Sequence, residues 1–209
     1  MSAYYPVYLN LEGRMCLVVG GGAVAGRKAA SLFECGAKVK LVAPKVCEAV
    51  AEMERDGKLD RINDVFRPEY MDGASLAIGS TDNGEVNRLV FEEAVKRNIP
   101  VNIVDQPHLC SFIVPSVVRR GDLVISISTS GKSPATAKRA RKMLEGLFGN
   151  EWAVYLEMMG QAREKLLASV ADGAERERKF NRLADSPMLE KIKIGDLAGA
   201  RAVMEEIVR

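Results

Sequence analysis

The chain has 209 residues, 47% of them hydrophobic, which is enough to bury a sizeable core in one domain plus an appendage. Its 30 basic and 28 acidic side chains nearly cancel, excluding the global field that marks nucleic-acid or membrane-surface proteins, so recognition has to be local. The opening stretch 1–14 lacks a basic segment followed by an apolar core, and no apolar run approaches the roughly 18 residues of a spanning helix, which predicts a cytosolic, cytoplasmic protein engaging neither membrane nor nucleic acid.

Residues 15–19 (MCLVV) form a short apolar run that stops at Gly20, Gly21 and Gly22, after which Ala25, Ala29 and Leu32 recur at helical spacing up to Gly36. The pattern reads as strand, tight turn and helix, with Cys16 in the core. A strand over 38–43 stops at Pro44, which cannot continue a ladder and readily starts a helix, expected over 46–56. A weaker strand near 61–66, another at 75–79, a helix over 84–97 with Val86, Leu89, Val90 and Ala94 on one face, and a strand at 100–104 follow. Short apolar strands alternating with amphipathic helices imply a parallel sheet covered on both faces.

The pattern changes after Asp105. Runs 112–118 and 123–128, separated by Arg119, Arg120, Gly121 and Asp122, predict an antiparallel hairpin. Ser133 and Pro134 cap a helix to about Leu147, with Ala137, Ala140, Leu144 and Leu147 on its apolar side. Beyond 150, Trp152, Tyr155, Met159, Ala162, Leu166 and Val170 make a helical stripe, and Ser186-Pro187 and Gly195-Asp196 punctuate further helices. The expected class is α/β: a Rossmann-like domain over 1–113, a dimerisation hairpin and helix over 114–149, and a helical domain over 150–209.

The glycines carry the first chemical signal. Gly20-x-Gly22-x-x-Ala25 falls between a strand and a helix, where backbone amides and the helix dipole hold a pyrophosphate. Gly20 permits the turn, Gly22 lets phosphates approach, and Ala25 lets helix and strand pack; a sharp turn with no ligand is the bland alternative. An Asp or Glu that would grip the ribose is missing, since the strand at 38–43 runs into Ala43-Pro44-Lys45 and no acid occurs before Glu48. Either the backbone at Pro44 and Lys45 holds the ribose, or Lys45 tolerates a 2′-phosphate, so NAD and NADP both stay open. The scattered cysteines Cys16, Cys35, Cys47 and Cys110 and the single histidine, His108, do not support a metal site.

LVVGGGAVAGRKAASLFECGAKVKLVAP at 17–44, STDN at 80–83, and VNIVDQPHLCSFIVPSVVRRGDLVISISTSGKSP at 101–134 resemble the precorrin-2 dehydrogenase/sirohydrochlorin ferrochelatase family. The likeness covers about the first 150 residues well and the helical remainder in general character. It implies an NAD-dependent oxidation of precorrin-2 to sirohydrochlorin, with Asp105 as the catalytic aspartate and general base, and it makes the missing ribose acid expected. It also implies cofactor contacts at Gly20, Gly22, Ala23, Val24, Pro44, Lys45, Thr81 and Asp82 and a homodimer joined through the hairpin region, and it leaves open iron insertion as a second activity, which only some members carry and which would use the same aspartate. Within these 209 residues no fused methyltransferase domain is expected.

Asp105 also has a plain reading as a turn former before Pro107. His108 and Cys110 are two potential ligands, too few for a metal site. The substrate that the resemblance implies is a polycarboxylate, for which Ser128, Thr129, Ser130 and Gly131 offer hydroxyls and amides ahead of a capped helix; Lys138, Arg139, Arg141 and Lys142 read more simply as a solvated face. Gly131-Lys132-Ser133 also suggests a nucleotide triphosphate loop, but that pattern needs glycine where Ser126 stands. The competing class is a non-catalytic NAD-sensing module, which would bind nucleotide and leave precorrin-2 unchanged.

Overall fold

A computed structural model describes residues 4–209, so the first three residues of the expected 1–113 domain lie outside it. The chain divides into two compact units, Met1–Val114 and Pro115–Arg209.

The first unit runs β1 (Met15–Val19), α1 (Ala23–Glu34), β2 (Lys38–Val42), α2 (Glu48–Arg55), β3 (Asp60–Ile62), β4 (Leu76–Gly79), α3 (Gly84–Lys96) and β5 (Val101–Ile103). All five strands are parallel in the order β3-β2-β1-β4-β5, the Rossmann-like arrangement that the alternation of strands and helices implies. Successive β1 side chains face opposite ways: Cys16 and Val18 join Ala25, Ala29 and Val50 in one layer, and Leu17 and Val19 join Val90, Ala94 and Ile103 in the other. Burial pushes the Cys16 thiol up to about 11, with a smaller contribution from Cys35, so it sits in the core as a neutral side chain.

Two expectations are corrected in this unit, and one element is added. The strand foreseen at 61–66 ends at Ile62, because Asp64 N donates to the Ile62 carbonyl (2.9 Å) and the Asp64 carboxylate accepts from Val65 N (2.8 Å) and Tyr70 OH (2.6 Å), turning the chain. Phe66 is still buried, which explains the strand-like signal. A 3-10 turn at Pro68–Met71 was not anticipated. Leu89, expected on the apolar face of α3, is exposed; Asn87 occupies the interior position instead.

In the second unit β6 (Ser116–Arg120) and β7 (Leu123–Ile127) form the antiparallel hairpin, with Arg120 opposite Leu123. The turn is therefore only Gly121 and Asp122, with Gly121 at φ +57°, and Arg119 and Arg120 belong to the strand rather than to the loop. Helices α4 (Pro134–Leu147), α5 (Glu151–Ser169), α6 (Gly173–Ala184), α7 (Met188–Lys193) and α8 (Leu197–Val208) follow. Ser133 caps α4 as expected, its Oγ accepting from Thr136 N at 3.2 Å. Ala137 is buried, but Leu147, placed on the same apolar side by its spacing, is 70% exposed. Tyr155, Ala162 and Leu166 of α5 meet Leu183, Met188, Ala200 and Met204 in a separate core. Among the described residues, no helix is long and apolar enough to cross a membrane.

Candidate dinucleotide-binding site

The three glycines after β1 differ in what surrounds them. Gly20 has φ +125°, and a Cβ there would come within 2.7 Å of the Ser80 carbonyl oxygen. Gly21 is tighter still: a Cβ would lie 1.9 Å from the Lys45 carbonyl oxygen, and the Gly21 carbonyl accepts from Cys47 N at 2.7 Å. Around Gly22 nothing stands within 4 Å of that position. Two glycines thus close the turn and the third opens it.

Gly22 is also the N-cap of α1, and no side chain caps this helix. The first helical bond is Gly26 N to the Gly22 carbonyl (3.0 Å), so the amides ahead of it, including Ala23 and Val24, have no intrahelical acceptor. An uncapped helix start with open space over its glycine fits a pyrophosphate, which supplies the missing acceptors and gains from the helix dipole.

At the end of β2, where an acid usually meets the ribose, Ala43 is buried and Pro44 and Lys45 are exposed. Beneath them lies a side chain that sequence reasoning missed. Arg61, 16% exposed, donates from Nε and Nη2 to the Ala43 carbonyl (both 3.2 Å), from Nη2 to the Pro44 carbonyl (3.0 Å) and to Asn63 Oδ1 (3.2 Å), while Nη1 faces Glu54 at 3.5 Å.

After β4, Thr81 is anchored by Asn87. Thr81 N and Oγ1 donate to Asn87 Oδ1 (3.2 and 3.0 Å), and Asn87 Nδ2 returns a bond to the Thr81 carbonyl (2.8 Å). The Thr81 side chain is thus spent on building the loop, and Asp82 stands exposed at its tip. A polar residue inside an apolar helical stripe was the available signal for Asn87.

Asp105 follows β5, exposed, with φ +59°. Its loop is fastened to the strand from behind: Val104 N donates to the Gly79 carbonyl (2.9 Å), Ile103 N to Cys110 Sγ (3.3 Å), Val101 N to Ser111 Oγ (2.8 Å), and Asn102 Nδ2 to the Phe112 carbonyl (3.0 Å). Cys110 therefore serves the loop; burial raises its thiol pKa, opposed by the bond from Ile103. Burial pulls the Lys28 ammonium of α1 below the ordinary lysine range, repulsion from Arg27 adds to this, and attraction from the Asp105 carboxylate opposes it. Among the described residues, no three or more His, Cys, Asp or Glu side chains gather as a metal site.

The glycine turn, Pro44 and Lys45, Thr81 and Asp82, and Asp105 all follow the carboxyl ends of β1, β2, β4 and β5, the edge where open parallel sheets bind ligands. In the second unit, Ser130 (φ +51°) and Gly131 (φ +78°) form a left-handed turn closed by Lys132 N to the Thr129 carbonyl (3.0 Å). Ser128 Oγ accepts from Ser130 N (3.0 Å) and Thr129 Oγ1 from Ser133 N (3.1 Å); Ser128, Ser130 and Gly131 are exposed and Thr129 is half-buried.

Strand order and glycine turn define a Rossmann-type dinucleotide-binding protein. An NAD(P)-binding family model matches residues 7–116, and the chain belongs to that family. It is 36% identical over 203 residues to a siroheme synthase of Methylobacillus flagellatus and 36% identical over 206 residues to one of Nitrosospira multiformis, in each case covering 97% of this chain and 44% of the relative. The chain thus spans less than half the length of those relatives. Among solved structures it is similar to SirC, a precorrin-2 dehydrogenase, at 25% identity and a TM-score of 0.81 over 98% of both chains. These matches bear out the resemblance read from the sequence motifs.

Proposed function

We propose that the chain oxidises precorrin-2 to sirohydrochlorin with NAD, a step of siroheme synthesis. The observation that carries the reading is an exposed carboxylate, Asp105, fastened at the sheet edge that also bears the uncapped glycine turn, in a chain similar along 98% of its length to a precorrin-2 dehydrogenase. The siroheme synthases it matches point to the same chemistry.

In this reading the amides at Gly22, Ala23 and Val24 hold the pyrophosphate, Gly20 makes the turn, Pro44 and Lys45 border the adenosine ribose, and Thr81 and Asp82 border the cleft. NAD, when bound, takes the hydride that leaves the macrocycle. Asp105 accepts the accompanying proton at a carboxylate oxygen and, being exposed, returns it to solvent. Ser128, Thr129, Ser130 and Gly131 take substrate carboxylates, chiefly through the turn at Ser130 and Gly131.

Anaerobic incubation with precorrin-2 and NAD is expected to give the sirohydrochlorin absorbance spectrum; nucleotide binding without that conversion would favour the sensing module. Adding ferrous ions afterwards tests the iron insertion that the resemblance leaves open. The reading includes a homodimer, supported by exposed Val117, Met143 and Leu147 on the hairpin and α4. Sedimentation at micromolar concentration is expected to give twice the chain mass, and a stable monomer would remove this part.

A further inference from the structure

We infer that Arg61 builds the adenosine-ribose seat in place of the missing acid, by pinning the 43–45 turn from behind. The inference rests on the dinucleotide reading and adds a positioning residue to it.

In a Rossmann site the residue ending the second strand faces the ribose hydroxyls. With Ala43, Pro44 and Lys45 in that place, recognition falls to the backbone, and a backbone turn recognises a ribose only if it is held in one conformation. Two independent ties hold it. On one side Gly21 presses against the Lys45 carbonyl and accepts from Cys47 N at 2.7 Å, joining the ribose turn to the phosphate turn. On the other, Arg61 bonds the carbonyls of both Ala43 and Pro44, Nε and Nη2 sharing the first and Nη2 reaching the second, a planar two-nitrogen grip that the single nitrogen of a lysine does not reproduce.

Orientation separates this role from that of a phosphate receptor. The donors of Arg61 point to Ala43, Pro44, Asn63 and Glu54, all within the protein. Arg61 is therefore a support for the turn and makes no contact with a 2′-phosphate.

The test is calorimetric titration of the full chain, as wild type, Arg61→Met and Arg61→Lys, with NAD, NADP, ADP-ribose and nicotinamide mononucleotide, alongside circular dichroism to confirm folding. Arg61→Met is expected to weaken NAD, NADP and ADP-ribose by a common factor of about ten and to leave the mononucleotide unchanged. Arg61→Lys, which keeps the charge and loses the fork, is expected to weaken the same three ligands nearly as much. ADP-ribose affinity unchanged in Arg61→Met, a loss confined to NADP, or full affinity in Arg61→Lys would each overturn the inference. Failure of the wild type to bind ADP-ribose at all would instead sink the cofactor reading beneath it.

Discussion

The Asp105→Asn protein is expected to bind NAD as tightly as the wild type and to turn over precorrin-2 at least about a hundredfold more slowly. The substitution removes the proton acceptor and little else. Asp105 sits at φ +59°, a conformation that asparagine shares readily and that costs most other residues on the order of 1–2 kcal/mol. Alanine at this position would therefore mix backbone strain with lost chemistry. The bonds that fasten the loop come from Ile103, Asn102, Val101 and Val104 to Cys110, Phe112, Ser111 and Gly79, and none of them uses the Asp105 carboxylate. Lys28 loses the attraction that opposes its burial, so its pKa is expected to move further down. Stopped-flow absorbance under anaerobic conditions measures the turnover, and nucleotide titration measures the binding. A variant that kept the wild-type rate would leave Asp105 as a turn former and return the general-base role to another group.

The element order was legible because each piece of the sheet is signalled locally. The apolar run at 15–19 breaks at three glycines, and Ala25, Ala29 and Leu32 repeat at the spacing that α1 then buries. What the sequence hid depends on side chains that meet across distant segments. Arg61 lies opposite Leu41 in the β2–β3 register and folds back onto the carbonyls of residues 43 and 44, a consequence of parallel pairing that no local pattern encodes. The hydroxyls at 128–130 look alike in the sequence, whereas Thr129 Oγ1 is taken by Ser133 N to start α4. Leu89 and Leu147 fit their helical stripes by spacing, yet both are exposed, since periodicity fixes which side a residue lies on and not whether anything packs there. Gly21 was the middle of a motif whose flanking glycines drew the argument; its own requirement comes from a loop more than twenty residues away.

That requirement makes Gly21→Ala the most damaging small substitution expected in the nucleotide site. A methyl group at Gly21 would stand 1.9 Å from the Lys45 carbonyl oxygen, a backbone atom with no rotamer to change. The 43–47 turn cannot retreat freely, because Arg61 holds the Ala43 and Pro44 carbonyls and Cys47 N is bonded to Gly21 itself. Overpacking of this kind costs about 1–3 kcal/mol, and relief by separating the two turns would displace the amides that meet the pyrophosphate. The expected result is a lower unfolding midpoint together with at least about a hundredfold weaker NAD binding. Gly22→Ala separates the two effects. Gly22 has φ −79° with nothing within 4 Å of the new methyl, so stability is expected to change by less than about 1 kcal/mol, while the methyl fills the space over the uncapped helix start that the phosphates need. Calorimetric titration and thermal unfolding of both variants read the two quantities independently. If Gly22→Ala bound NAD normally, the open face over α1 would not be the phosphate site, and the hydride acceptor would have to lie elsewhere on the sheet edge.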